Sequence, residues 1–290
     1  MLLTLALVAA AGLFAGGLVV GHLLSRPAPT AIGPPPADLG AEAVTFQSGS
    51  GATIRGWFIT GRPGGGAVVL MHGVRGNRLP MMPRARMLRD AGYSVLLFDF
   101  QAHGESTGSR ITFGHLEGRD AAAAIDFVRK RMPGGKVGVI GVSLGGASAL
   151  LAPAPLAIEA LVLEGVYPDI DAATANRVND TLGPWLGPLL SKPLAWVLAL
   201  VSAPLLRIAP ADLRPIDQMA EIRAPLLMLI GARDTYTTVE ETRAMFARAP
   251  EPKSLWIVDG AGHVDLHDHA PEQYRARLSD YLSHHLRRPG

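Results

Sequence analysis

The chain has 290 residues, of which 48% are hydrophobic and only 6% aromatic, a balance that suits aliphatic parallel strands buried between helices. Its formal net charge is +2 and it contains no dense lysine or arginine run, which excludes the basic stripe of a nucleic-acid-binding protein. The sequence has no cysteine, which excludes disulfides, thiolate metal sites and a cysteine nucleophile.

The first 25 residues differ from the rest of the chain, because residues 2–24 contain no charged side chain. An apolar run of about 20 residues is long enough to cross a bilayer as a helix. No lysine or arginine precedes the run and no clear small-x-small cleavage site follows it, so residues 1–25 favour a retained membrane anchor. We therefore expect the protein at a membrane. Secretion, or release into the periplasm, through a cleaved signal peptide is the alternative.

Residues 26–42 are rich in proline, which predicts a stiff, extended linker that holds the following domain off the membrane. Residues 43–290 are numerous enough for one large α/β domain with a well-buried core. The domain is expected to begin with an antiparallel hairpin, because strand patterns at residues 44–46 and 53–58 flank a Ser-Gly-Ser-Gly turn.

Strand and helix patterns then alternate to the end of the chain. The further predicted strands are at residues 67–71, 94–99, 136–140, 161–163, 225–230 and 254–258. The predicted helices are at residues 83–91, 118–131, 239–249 and 271–286, and another begins at Ser143. This alternation implies βαβ units and a mostly parallel sheet that is flanked by helices. Ligands of such a sheet bind beyond the carboxyl ends of its strands.

A long interruption at residues 168–215 combines several prolines with many apolar side chains. We expect it to form a helical cap over the carboxyl ends of the strands. A plain structural insertion is the alternative, whereas the prolines and Lys192 argue against a second membrane span. The apolar character of the cap predicts a partly apolar small-molecule substrate, with Trp185 and Trp196 as candidate binding residues.

The sequence Gly-Val-Ser-Leu-Gly at residues 141–145 matches the pattern G-x-S-x-G. It follows an apolar strand and precedes a helix of small residues, which is the context of a nucleophile elbow. Such a tight turn lifts the serine hydroxyl above the sheet at the positive end of a helix. We therefore predict Ser143 as a nucleophile, and an ordinary glycine-rich helix start is the alternative.

A serine nucleophile needs a base that takes its proton and an acid that orients the base. Asp234 follows the strand at residues 225–230, and His263 follows the strand at residues 254–258. We predict Asp234 as the acid and His263 as the base. Glu164, at the end of an earlier strand, is the alternative acid, and a turn or helix-cap role is the alternative for Asp234.

Several titratable residues lie near His263 in the sequence. His267 and His269 are alternative bases, but they fall where the last helix is expected to begin. Together with His263, Asp265 and Asp268 they could also form a metal cluster, although the spacing matches no established metal motif. We therefore predict no metal, and no dinucleotide- or phosphate-binding loop indicates a cofactor.

The negative charge of a tetrahedral intermediate requires preorganised N–H donors. The backbone N–H of Leu144, directly after the nucleophile, is one predicted donor. The other is the backbone N–H of Val74, in the loop that follows the first central strand. His72, at the start of the same loop, is a further candidate for substrate binding.

These motifs resemble those of the α/β-hydrolase superfamily, over residues 43–286. The matching pieces are His72-Gly73, residues 98–106, the elbow, residues 231–234 and residues 260–263. The likeness is greatest to bacterial members of the prolyl-oligopeptidase and dienelactone-hydrolase branches, some of them membrane-anchored. Two departures concern the substrate class: one glycine follows His72 where hormone-sensitive-lipase-type esterases have HGGG, and Gln101 stands where many relatives carry arginine.

The resemblance implies an α/β-hydrolase fold and hydrolysis of carboxylic esters by a Ser-His-Asp triad through an acyl-enzyme. Peptidase, thioesterase and acyltransferase activities on the same triad are the alternatives within the superfamily. A catalytically silent, membrane-tethered binding protein of the same fold is the alternative from another class. The complete set of serine, histidine and aspartate argues against it, because inactive relatives commonly lose one of the three.

Overall fold

The computed structural model describes residues 2–206, 208–263 and 266–287, with the backbone alone described for residues 2–11, 13 and 199–206. Helices and strands alternate along most of this length. In chain order they are α1 (Leu2–Ser25), β1 (Ala28–Pro29), β2 (Ala41–Gln47), β3 (Thr53–Ile59), β4 (Ala67–Met71), α2 (Met82–Asp90), β5 (Ser94–Phe98), β6 (His103–Gly104), α3 (Glu117–Arg131), β7 (Val137–Val142), α4 (Leu144–Leu150), β8 (Ala160–Glu164), α5 (Ile170–Leu206), β9 (Leu226–Gly231), α6 (Val239–Arg248), β10 (Lys253–Val258), α7 (Leu266–His269) and α8 (Pro271–Leu286).

Eight strands form one sheet in the spatial order β10-β9-β8-β7-β4-β5-β3-β2. Strand β3 runs antiparallel to β2 and β5, and the remaining neighbours are parallel. Strands β4, β5, β7 and β8 are buried at every position and mostly aliphatic, as expected where helices cover both faces of a sheet. The predicted α/β architecture is therefore confirmed, and the predicted strands and helices are present with bounds that differ by at most three residues.

Helices cover the two faces of the sheet through their apolar stripes. On one face, α3 buries Ala121, Ala124, Ile125 and Val128, which follow the spacing of a single helical face. On the other face, α8 buries residues four apart, including Leu278 and Leu282. The sheet therefore separates two hydrophobic cores, and its carboxyl edge is left for the polar residues.

The segment after α1 is hydrogen-bonded to the domain. Strand β1 pairs in parallel with β6, and the carboxylate of Glu105 accepts the backbone N–H groups of Ile32 at 3.0 Å and Gly33 at 2.9 Å. An extended, proline-rich backbone has no internal hydrogen bonds, so here its polar groups can pair with β6. The expectation that residues 26–42 hold the domain at a distance is therefore wrong over residues 28–33, which lie against it.

Helix α1 packs against α5 rather than standing alone. Within the part of the chain that is described, no helix combines the length and apolar character needed to cross a membrane. The predicted membrane anchor at residues 1–25 is accordingly not supported, and most side chains of its first half lie outside the described residues.

The segment predicted as a helical cap contains α5, which is interrupted at Gly183. Gly183 has φ 73° and ψ −176°, a conformation that no helix contains and that glycine adopts most readily. The break divides α5 into two stretches of different direction. We call α1 and α5 together the helical cover, and the sheet with its other helices the body.

Candidate active site

Ser143 lies in the tight turn between β7 and α4, at the carboxyl edge of the sheet. Its backbone has φ 50° and ψ −112°, which is a strained conformation for a residue with a side chain. The turn depends on Gly145, because a Cβ there would overlap the carbonyl oxygen of Met71. The backbone N–H of Ser143 donates to the carbonyl of Glu164 at 2.8 Å, which ties the turn to β8. The serine hydroxyl is thus held above the sheet.

A hydrogen-bonded series connects three of the predicted residues. Nε2 of His263 lies 3.2 Å from Oγ of Ser143, and Nδ1 of His263 lies 2.7 Å from Oδ2 of Asp234. Because an ionised carboxylate only accepts hydrogen bonds, Nδ1 carries the proton and Nε2 is left to accept the serine hydroxyl. We call this series the Ser-His-Asp relay.

The carboxylate of Asp234 is held from both sides. Its Oδ1 accepts the backbone N–H groups of Tyr236 at 2.8 Å and Thr237 at 2.9 Å, while Oδ2 faces His263. The side chain is fully enclosed, so water does not compete for these contacts. The loop after β9 therefore fixes the direction of the carboxylate and, through it, the orientation of the His263 ring.

Glu164, the alternative acid, lies at the end of β8 but faces other partners. Its carboxylate accepts Nη2 of Arg84 at 2.6 Å and a short hydrogen bond from the hydroxyl of Tyr274. All three side chains are buried. Glu164 is thus committed to a buried ion pair, and Asp234 is the carboxylate that contacts His263.

The other candidate bases near His263 do not reach Ser143. His267 contacts Asp268 at 2.8 Å, and Nε2 of His269 lies 3.0 Å from the carbonyl oxygen of Asp259. Asp265 lies outside the described residues. Among those described, no group of three or more histidine, aspartate or glutamate side chains is arranged to hold a metal ion.

Both predicted oxyanion donors lie beside Ser143 in the wall of one cavity. Leu144 opens α4, so its backbone N–H has no acceptor within the helix. Val74 lies in the turn after β4, and no backbone carbonyl of the described residues accepts its N–H. Among the described residues, neither N–H group has a backbone acceptor, so both are available to a ligand in the cavity that Ser143 lines.

His72 does not take the predicted substrate-binding position. Its ring is buried, Nδ1 contacts the carbonyl of Gly73 at 2.7 Å, and Nε2 accepts the backbone N–H of Phe100 at 3.1 Å. Burial, and next the nearby His103, lower the pKa of His72 to about 3, so the ring is neutral. The prediction for His72 is wrong, because both ring nitrogens already pair with backbone groups that hold the loop.

A cavity of about 630 Å³ opens onto Ser143. Its mainly apolar wall comes from both the body and the helical cover, and includes Val20, Leu24, Val74, Phe113, Leu144, Tyr167, Ile170, Val178, Leu182, Leu198, Leu213 and Tyr236. A volume of this size is typical of sites for small organic ligands. The contribution of α1 has no signal in the sequence, where an apolar N-terminal run indicates targeting before it indicates a binding site.

Trp185 and Trp196 lie away from this cavity wall. Trp185 is 87% exposed and Trp196 is 65% exposed. The wall residues of α5 between Ile170 and Leu182 follow one helical face, and Trp185 would continue that face in an unbroken helix. The break at Gly183 turns the second stretch, so the prediction that both tryptophans contact substrate in the cavity is wrong.

Comparison with known proteins gives consistent matches. The model of the alpha/beta hydrolase family matches residues 68–277. The esterase Pf2001 of Pyrococcus furiosus superposes with a TM-score of 0.73 and 27% identity, covering 91% of this chain and 98% of the esterase. The uncharacterised protein YqkD of Bacillus subtilis (strain 168) is 25% identical over 247 residues, which are 83% of this chain and 78% of YqkD. Human monoglyceride lipase is 28% identical over 247 residues, covering 75% of this chain and 81% of the lipase.

Proposed function

The chain belongs to the α/β-hydrolase family, and on that premise we propose that it is a serine hydrolase that cleaves carboxylic esters through an acyl-enzyme. The observation that carries the proposal is the Ser-His-Asp relay, which opens on an apolar cavity. The likeness to an esterase and to a monoglyceride lipase supports esters as the substrate class.

In the first half of the reaction, Oγ of Ser143 attacks the carbonyl carbon of the ester. Nε2 of His263, 3.2 Å away, takes the hydroxyl proton as the new C–O bond forms. The ring becomes an imidazolium, and Asp234 stabilises that charge through the 2.7 Å contact with Nδ1.

The carbonyl oxygen of the substrate carries a full negative charge in the tetrahedral intermediate. The backbone N–H groups of Val74 and Leu144 are proposed to donate to it. Removing one such donor typically costs about 3 kcal/mol of transition-state stabilisation. Preorganised backbone donors need no rearrangement during the reaction, which favours a rigid turn at this position.

Collapse of the intermediate then breaks the bond to the leaving alcohol, which takes the proton from Nε2 of His263. A water molecule enters in place of the alcohol and loses a proton to the same nitrogen as it attacks the acyl carbon. The second intermediate releases the carboxylic acid and restores the Ser143 hydroxyl. Each proton that leaves one oxygen arrives on another through His263.

An activity-based probe tests the proposal. A fluorophosphonate should label the unmodified protein, and Ser143→Ala should abolish the labelling. Ser148→Ala is the matched control, because Ser148 lies in α4 and donates to the carbonyl of Leu144 without facing the cavity. Equal labelling of the unmodified protein and Ser143→Ala would contradict the proposal. Relative kcat/KM for matched esters, thioesters and aminoacyl amides then assigns the bond that is cleaved, and a preference for esters is expected.

A further inference from the structure

We propose that the C-terminal end of α1 forms part of the acyl-binding site and sets the preference for acyl chain length. This inference rests on the esterase function proposed above. Val20, Gly21 and Leu24 line the same cavity as Ser143, so an N-terminal segment reaches the site where the substrate is expected. At about 100° of rotation per residue, these three positions fall within an arc of about 100° and therefore lie on one side of the helix.

The loop after β4, which contains Val74 and Arg75, holds this end of α1. Nη1 of Arg75 donates to the backbone carbonyls of Leu23 and Arg26, at 3.3 Å each. The last carbonyls of a helix have no intrahelical partner and carry partial negative charge, so a guanidinium is a favourable partner for them. Arg75 directly follows the predicted oxyanion donor Val74. The part of the cavity wall that α1 supplies is therefore tied to the loop after β4.

Further hydrogen bonds fix the chain where α1 ends. The carbonyl of Ser25 accepts the backbone N–H of Ile111 at 2.8 Å, and the backbone N–H of Ala28 donates to the carbonyl of Ala102 at 2.8 Å. With the pairing of β1 and β6, these bonds connect the helix end to two other loops of the body. The position of Leu24 relative to Ser143 is thus set by directional contacts and does not depend on apolar packing alone.

Helix α5 supplies another part of the wall. Val178, Leu182 and Leu198 line the cavity with Val20 and Leu24, and α5 packs against α1. An acyl chain that extends from Ser143 between these side chains would lose contact with water. Each buried methylene strengthens binding about fourfold, whereas an acetyl group has no methylene to bury. Chain-length preference is therefore the property that α1 controls.

Two matched pairs of substitutions test the inference. Leu24→Trp fills the cavity from α1, and Leu23→Trp places the same side chain at a neighbouring position outside the cavity wall. Leu24 and Leu23 are 46% and 48% exposed, so the two variants carry similar surface changes. Val20→Trp and Val19→Trp form the second pair, of which only Val20 lines the cavity.

The readout is the ratio of kcat/KM for p-nitrophenyl octanoate to that for p-nitrophenyl acetate. We expect Leu24→Trp and Val20→Trp to lower this ratio at least about tenfold, the equivalent of about two lost methylene contacts. Leu23→Trp and Val19→Trp should leave it within about twofold. An unchanged ratio in both cavity variants, or an equal fall in the neighbouring variants, would overturn the inference.

Fluorophosphonate labelling of Ser143 in the same preparations separates the two proposals. Labelled variants whose ratio is unchanged retain the serine chemistry and overturn only the role of α1. An unmodified protein that is not labelled overturns the proposed function and, with it, this inference.

Discussion

The carboxyl edge of the sheet and the helical cover meet at one cavity but are built differently. At the edge, Ser143, His263 and Asp234 are joined by hydrogen bonds, and Gly145 leaves no room for a side chain. The cover instead presents apolar side chains, many of them exposed: Phe14, Leu18, Val19, Leu23, Trp185, Leu186, Leu189, Leu190 and Trp196. Proton transfer requires that the donor and acceptor atoms are held at a fixed distance. Contact with an apolar acyl chain requires only enough apolar surface area. We therefore expect substitutions at the edge to affect kcat and substitutions in the cover to affect chain-length preference.

The largest effect is expected from Asp234→Asn, which breaks the Ser-His-Asp relay at its buried end. Asp234→Asn keeps the shape of the side chain but no longer favours the proton on Nδ1 of His263. We expect kcat for p-nitrophenyl acetate to fall about 10⁴-fold, as in other serine relays with the wrong histidine tautomer. Asp268→Asn, which changes an exposed aspartate beside His267, is the control and should retain activity. A fall in kcat of less than about tenfold for Asp234→Asn would exclude Asp234 as the orienting acid.

Within the body, Glu164→Gln is expected to lower the free energy of unfolding while leaving kcat nearly unchanged. Glu164→Gln removes one charge from the buried pair with Arg84, and breaking such a pair typically costs about 3–5 kcal/mol. We expect urea unfolding to show a loss of about that size, while kcat per labelled active site changes less than about threefold. Glu159→Gln, at a partly exposed pair with Arg129, should cost under about 1 kcal/mol. A collapse of kcat in folded Glu164→Gln would assign Glu164 a role in the relay.

The stability of the body is expected to depend on pH through the buried carboxyl of Asp120. Burial raises the pKa of Asp120 to about 6 from 3.8, although the Ser48 and Ser50 hydroxyls and the Gln101 N–H oppose the shift. Between these two pKa values the folded state binds more protons at Asp120 than the unfolded state, so this group lowers stability as pH rises. Its contribution amounts to about 3 kcal/mol across the window.

Asp120→Asn removes that titration. The free energy of unfolding of the variant, relative to that of the unmodified protein, should therefore rise between pH 3.5 and pH 7, in the range set by the raised pKa of Asp120. Urea unfolding at several pH values measures the difference. A constant difference across this range would contradict the raised pKa.

The smallest effect is expected on the exposed side of the cover. Trp185 is 87% exposed and does not line the cavity, so Trp185→Ala should change the octanoate-to-acetate ratio less than about twofold. Leu182→Trp, on the other side of the Gly183 break, provides the contrast because Leu182 belongs to the wall. A tenfold fall for Trp185→Ala would show that the tryptophan contacts bound substrate after all.

The residues at the carboxyl edge of the sheet were largely predictable from the sequence, whereas the contacts of the helical cover were not. The elbow at Ser143 and the loops that carry Asp234 and His263 were predictable, because each depends on a strand end and a few adjacent residues. The sheet then brings them together, since parallel strands end at one edge.

The other positions depend on contacts between distant segments. His72 has the motif of a site residue, but its ring pairs with the backbone of Phe100. The break at Gly183 changes the direction in which Trp185 points. The end of α1 is held beside the cavity by the hydrogen bond that Arg75 donates to Leu23. Apolar composition indicated a membrane anchor at residues 1–25 and a cap at residues 168–215, but it contains no information about which side chains face Ser143.

Isolation of the acyl-enzyme tests most directly whether Ser143 is the nucleophile. Turnover of p-nitrophenyl octanoate is quenched with acid within milliseconds, and the protein is digested and mapped by mass spectrometry. We expect one octanoyl group on the peptide that contains Ser143, and neither acylation nor turnover in Ser143→Ala. An octanoyl group on another residue, or turnover that persists in Ser143→Ala, would contradict the role of Ser143 as the nucleophile.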